Sequence, residues 1–183
     1  MNFEAVFKLL TEEFKKNNIR FALIGGFALH AAGFTRATKD IDFLVAKADM
    51  EKVKKIMESF GYELIHESED ISNFLGKMKE LGKIDFLHAH RKYAKEMLER
   101  AQDKEILSGR FRIKVIKAED LIGLKVQSSS NDPGRYHQDM ADIQSLIRIN
   151  YKNLDMRLIK EYFDLFERGE ELKGLLEKIK DDE

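Results

Sequence analysis

The stretch from Phe21 to Val45, FALIGGFALHAAGFTRATKDIDFLV, constrains this chain more than any other segment. Phe21 to Ile24 is short and wholly apolar, the signature of a buried strand. Gly25-Gly26 breaks that run, and Phe27 to Ala32 then reads as a short helix stopped by Gly33. A strand that turns into a helix through two glycines leaves backbone N–H groups unscreened by side chains, which is a natural anion cradle. After thirteen intervening residues come Asp40 and Asp42, in a run otherwise made of Ile41, Phe43, Leu44 and Val45. Strand alternation places both carboxylates on one face.

Two adjacent carboxylates in an apolar strand repel one another and lose hydration, so they require a compensating charge. A divalent cation supplies it, and Mg²⁺ favours carboxylates combined with phosphate oxygens. Asp85, in Lys83-Ile-Asp-Phe-Leu87, is the candidate third acid; Glu69, Asp70 and Glu80 are the alternatives. Three carboxylates beside a phosphate cradle are the ingredients of two-metal phosphoryl or nucleotidyl transfer, with Mg²⁺ or Mn²⁺ as the ions. Arg36, just before the acid pair, is placed either to bind phosphate or to neutralise the acids.

The rest of the chain builds a scaffold for this segment. Phe3, Val6, Phe7, Leu10 and Phe14 recur at helical spacing, and the periodicity from Asp49 to Phe60 predicts another helix ending at Gly61. Residues 62–66, 73–78 and 83–87 read as strands, with Leu81-Gly82 as a turn, and residues 92–104 as a helix. Phe111 to Ile116 alternates as a strand, and Ala118 to about Ser129 reads as a helix. Ser128 to Gly134 has the composition of a flexible boundary loop, and helices over 136–150 and 154–180, broken near Gly169, complete the chain. This order predicts an α/β (α+β) fold: a small mixed sheet flanked by helices, followed by a helical C-terminal part. The expected division is residues 1–130 for the catalytic domain and 131–183 for the helical region. His88 and His90 read as a strand-end pair facing solvent.

Composition narrows the chemistry. Among 183 residues there are no cysteines, which excludes disulfides and thiolate-bound metals. The formal net charge is −1, so no global basic field argues for nucleic acid, although a local groove remains compatible with RNA. The N-terminal segment reads as an amphipathic helix rather than a signal peptide, and no apolar run is long enough to span a bilayer. A cytoplasmic, non-membrane protein is the expectation.

The Gly-Gly turn, the Asp-x-Asp strand and a later strand aspartate together resemble the signature of the polymerase-beta-type nucleotidyltransferase superfamily. Gly25, Gly26, Asp40, Asp42 and Asp85 match it residue by residue, with a spacer at the long end of its range. A second run, Glu119-Asp-Leu-Ile-Gly-Leu-Lys125, then Arg135, then Asp139-Met-Ala-Asp142, resembles the AbiEii-like, abortive-infection branch. Thr35-Arg36-Ala-Thr38 resembles that branch as well.

The resemblance implies a nucleotidyltransferase fold and transfer of a nucleoside monophosphate from an NTP to an acceptor, with release of pyrophosphate. It implies that Asp40 and Asp42 hold two Mg²⁺ ions, and that Asp85 binds the catalytic ion and helps activate the acceptor hydroxyl. Gly25, Gly26, Arg36, Thr38 and Lys125 are implied as triphosphate ligands, with one of Asp139 and Asp142 in or beside the site. The plain reading of Asp139 and Asp142 is a pair of helix acids partnering Arg135, and that of Lys125 is a surface lysine. The acceptor is an RNA or tRNA end, a protein or a small molecule, and the branch resemblance adds a toxin or defence role with a cognate antitoxin. The alternative is a non-catalytic nucleotide-binding or regulatory module of the same fold.

Overall fold

A computed structural model describes residues 1–181. They form two compact units: Met1–Ala31 with Thr35–Ile116, and Ala32–Phe34 with the chain from Lys117 onward.

The first unit is a seven-stranded mixed sheet with helices. Its elements are α1 (Phe3–Lys16), β1 (Phe21–Ile24), α2 (Gly25–Ala31), β2 (Asp40–Ala46), α3 (Met50–Ser59) and β3 (Tyr62–Glu67). They continue with β4 (Ile71–Gly76), β5 (Lys83–Ala89), α4 (Lys92–Glu99), β6 (Gln102–Ile106) and β7 (Phe111–Val115). The strand order is β3-β4-β5-β2-β1-β7-β6. The β2–β5 and β1–β7 pairs are parallel; the other neighbours are antiparallel.

Alternation along the central strands separates core from chemistry. Ile41, Phe43, Ile84 and Phe86 are essentially inaccessible to solvent. Phe43 stacks on Phe86 at 5.8 Å between ring centroids, and Phe7 and Phe14 of α1 meet Phe43 edge-on. Burying rings of this size supplies much of the driving force for folding. The intervening residues of β2 and β5, Asp40, Asp42, Lys83 and Asp85, share the opposite face. Helix α3 ends as expected at Gly61, whose φ of +80° suits a residue without Cβ.

Two local expectations are corrected. The helix expected over 92–104 ends at Glu99, and Gln102–Ile106 instead forms β6, paired with β7. Its sequence QDKEI has no apolar alternation because it is an exposed edge strand, so pairing overrides the helical propensity of Lys and Glu. The segment expected as a loop from Ser128 is helical to Asn131, followed by a 3₁₀ turn over Pro133–Arg135. Ser129 and Ser130 donate to the Lys125 and Val126 carbonyls, so these hydroxyls bond back into the helix instead of breaking it.

The second unit is helical: α5 (Ala118–Asn131), α6 (Tyr136–Asn150), α7 (Met156–Asp164) and α8 (Gly169–Asp181). Helix α5 packs on α6 and α7, which groups it with the later helices; the boundary expected at residue 130 falls at its end. Gly123 of α5 lies against the Tyr162 ring of α7, where an added Cβ would come within 2.7 Å of it. Tyr162 also donates to the buried Asp120 carboxylate at 2.6 Å. Asp155 caps α7 by accepting from the Arg157 and Leu158 backbone N–H groups. No helix among the described residues is long and apolar enough to cross a membrane.

Candidate active site

Because β2 and β5 run parallel in register, Asp42 lies opposite Asp85 and Asp40 opposite Lys83. One carboxylate oxygen from each of Asp40, Asp42 and Asp85 lies within 4.8 Å of the other two, and all three residues are half-buried. Among the described residues no other set of three potential metal ligands comes so close. Glu69, Asp70 and Glu80 are not in the cluster; Asp70 instead pairs with His90 and Arg91.

The glycine turn is fitted to these acids. Gly25 has φ of +63°, and a Cβ there would fall 2.0 Å from Asp42 Oδ2. A Cβ on Gly26 would fall 2.6 Å from Thr38 Cβ. Thr38 Oγ1 in turn donates to Asp40 Oδ1 at 3.1 Å. The opening of α2 and the Asp-x-Asp strand are therefore packed together with no room for a side chain between them. Arg36 is held through its backbone, since the His30 ring Nε2 lies 2.6 Å from the Arg36 carbonyl oxygen.

Asp85 has two partners that the sequence did not single out. Asn73 Nδ2 on β4 donates to Oδ1 at 2.6 Å, and Lys83 Nζ donates to Oδ2 at 2.6 Å. The i, i+2 rule of strands already puts Lys83 beside Asp85. Asn73 arrives only through the β4–β5 register, which pairs it with Asp85 and which sequence alone does not fix.

The donor set fits a divalent cation. It consists of hard carboxylate oxygens that converge and remain partly open to incoming ligands, as Mg²⁺ prefers. The absence of a Cβ at Gly25 lets the backbone of the turn close directly against the Asp42 carboxylate.

In the second unit, Lys125, Asp139 and Asp142 are brought together. Lys125 Nζ lies 3.1 Å from Asp139 Oδ1 and 2.5 Å from Asp142 Oδ2, and both acids are fully buried. Arg135 adds a bond to Asp139, and Gln138 one to Asp142. Burial opposes ionisation of Asp139, but the Lys125 charge and hydrogen bonds from Ser128, Lys125 and Arg135 outweigh it. The carboxyl is held below the usual carboxylate range.

The expectation for His88 is corrected: it is buried, not solvent-facing. Its Nε2 lies 2.9 Å from Ser72 Oγ, and its Nδ1 lies 2.9 Å from Lys47 Nζ and 2.8 Å from the Glu69 carbonyl oxygen. Burial pushes its pKa below the ordinary histidine value, although the Glu69 carbonyl pulls the other way.

The sheet order, the glycine turn and the three converging acids define a nucleotidyltransferase fold. Solved structures of that fold superimpose on the chain. The antibiotic-resistance factor ANT(2'')-Ia in solution matches with a TM-score of 0.65 at 17% identity, covering 100% of both chains. The crystal structure of ANT(2'')-Ia with adenylyl-2''-tobramycin matches at 0.66 and 14% identity, over 91% of this chain and 97% of that one. Lincomycin-bound LnuA, a lincosamide antibiotic adenylyltransferase, matches at 0.54 and 18% identity, over 79% and 96%. The chain belongs to the family described as uncharacterised nucleotidyltransferase, whose model matches residues 2–162. No curated protein matches it in sequence.

Proposed function

We propose that this protein is a divalent-metal-dependent nucleotidyltransferase that moves NMP from an NTP to an acceptor hydroxyl. The observation that carries this reading is the convergence of Asp40, Asp42 and Asp85 beside the Gly25 turn. Asp40, Asp42 and Asp85 would hold Mg²⁺ or Mn²⁺, which supplies charge neutralisation for the triphosphate and makes the attacking hydroxyl more acidic. The backbone of Gly25 and Gly26, with Thr38 and Arg36, would cradle and orient the triphosphate. Asp85, oriented by Asn73, would accept the acceptor's proton at a carboxylate oxygen. The acceptor oxygen bonds to the α-phosphorus as the bond from that phosphorus to the bridging oxygen breaks, and pyrophosphate leaves.

The test is incubation with each labelled NTP and a panel of small-molecule, RNA and protein acceptors. Asp40→Asn and Asp42→Asn are expected to abolish label transfer while circular dichroism and unfolding stay close to wild type. Full activity in either variant overturns the assignment. Antibiotics are included in the small-molecule panel because ANT(2'')-Ia was solved with adenylyl-2''-tobramycin and LnuA with lincomycin. The abortive-infection reading, with a cytoplasmic toxin, an RNA or tRNA end as acceptor and an antitoxin partner, rests on the resemblance of the Glu119–Lys125, Arg135 and Asp139–Asp142 run alone. In that reading Lys125 and one of the two aspartates serve the nucleotide. Labelling of RNA rather than of small molecules would favour it.

A further inference from the structure

We propose that Lys83 is a built-in counter-ion, holding the divalent ion's electrostatic place at Asp85 until nucleotide arrives, so that metal uptake becomes dependent on nucleotide. The inference rests on the metal-site reading above and concerns how that site is loaded.

Lys83 and Asp85 share a face of β5, and their partners across the parallel ladder are Asp40 and Asp42. Four side chains thus form a square on the sheet, three acids and one base. Within it, the one ammonium reduces the charge of the three carboxylates from −3 to −2 and so weakens the pull on an incoming divalent ion. Both oxygens of Asp85 are engaged, one by Asn73 Nδ2 and the other by Lys83 Nζ, each at 2.6 Å. An ion drawing on Asp85 must therefore share that carboxylate with a cation already there.

The side chain of Lys83 is 41% exposed against 21% for Asp85. The lysine is the more accessible member of the pair, and turning it toward solvent would not require the core to open. The pair is part-buried, and its ammonium lies 2.6 Å from a carboxylate of the acid cluster. That charge acts on a nearby doubly charged ion. Like charges a few ångströms apart in a largely aqueous setting cost about a tenfold loss of affinity. A triphosphate, carrying its own negative charge, offsets that repulsion and gives Lys83 a new partner.

The experiment measures Mn²⁺ binding to the full chain by electron paramagnetic resonance, with and without a non-hydrolysable NTP analogue. Wild type is expected to bind Mn²⁺ weakly alone and more tightly with the analogue. Lys83→Met is expected to bind Mn²⁺ alone about tenfold more tightly, with a smaller gain from the analogue. Lys83→Arg, which keeps the charge, is expected to behave as wild type. If Lys83→Met binds Mn²⁺ no more tightly than wild type, while Asp42→Asn abolishes binding, the counter-ion role is overturned and the metal site stands. If Asp42→Asn leaves Mn²⁺ affinity at the wild-type level, the metal site itself fails, and the role of Lys83 fails with it.

Discussion

Asp42 and Gly25 exclude any third atom between them: a single methyl group at position 25 would overlap the Asp42 carboxylate. Gly25→Ala therefore meets two penalties, a left-handed backbone with a Cβ and a clash that turns Asp42 away from its partners. The backbone part alone is of order 1–3 kcal/mol. The variant is expected to lose that much stability in urea unfolding and to lose label transfer as well. Wild-type activity in Gly25→Ala would mean the acid can sit elsewhere and still work. His88 carries a separate expectation. Its folded pKa is depressed by burial, so the folded state binds fewer protons than the unfolded chain as the pH falls below the ordinary histidine value. The stability this neutral ring contributes is full above that value and is lost as the pH falls toward the folded pKa. Melting temperature should decline as the pH falls below about 6.5, and His88→Gln should flatten the decline. An unchanged slope would assign the acid sensitivity to other groups.

The joint between α5 and α6 shows what happens when charge is buried inside a helical element. Lys125 sits against two carboxylates that have no exposure at all. Removing the lysine while leaving both acids should cost about 3–5 kcal/mol, the usual consequence of stranding a buried charge. Lys125→Met is thus expected to shift the urea midpoint strongly, and Lys125→Met with Asp139→Asn and Asp142→Asn should recover part of the loss. If Lys125→Met unfolds like wild type but loses activity, the lysine serves the nucleotide rather than the joint. Legibility follows the same physics. The β1–α2–β2 segment was readable because its cues are local: an apolar strand, a glycine break and two acids two residues apart. The α6 bounds were readable because its helical pattern is long. β6 was not, since a charged edge strand owes its form to β7 and carries no periodicity of its own. That Asp85 meets the acid pair could be expected from its strand setting, but the meeting itself is decided by the register of β2 against β5, which no local pattern encodes. Asn73 was hidden for the same reason, and the Lys125 partners were hidden because helix packing, not spacing, chooses which faces meet.

For the chain as a whole, binding should be visible as stability. A ligand that binds only the folded state at a hundred times its dissociation constant adds about 2.7 kcal/mol. Mg²⁺ with the preferred NTP is therefore expected to raise the melting temperature by a few degrees, and Asp42→Asn should remove that gain. Stabilisation by nucleotide without any labelled product would mark a binding module rather than an enzyme. The absence of cysteine means these measurements need no reducing agent, and so no thiol competes for the added metal. The pairing of β2 with β5 has one more consequence. A slip of one residue in β5 would send Asp85 and Lys83 through to the aromatic side of the sheet and set Ile84 or Phe86 opposite Asp42. The bound ion would then reward only the correctly aligned pair, acting as a proofreader of strand alignment while the chain folds.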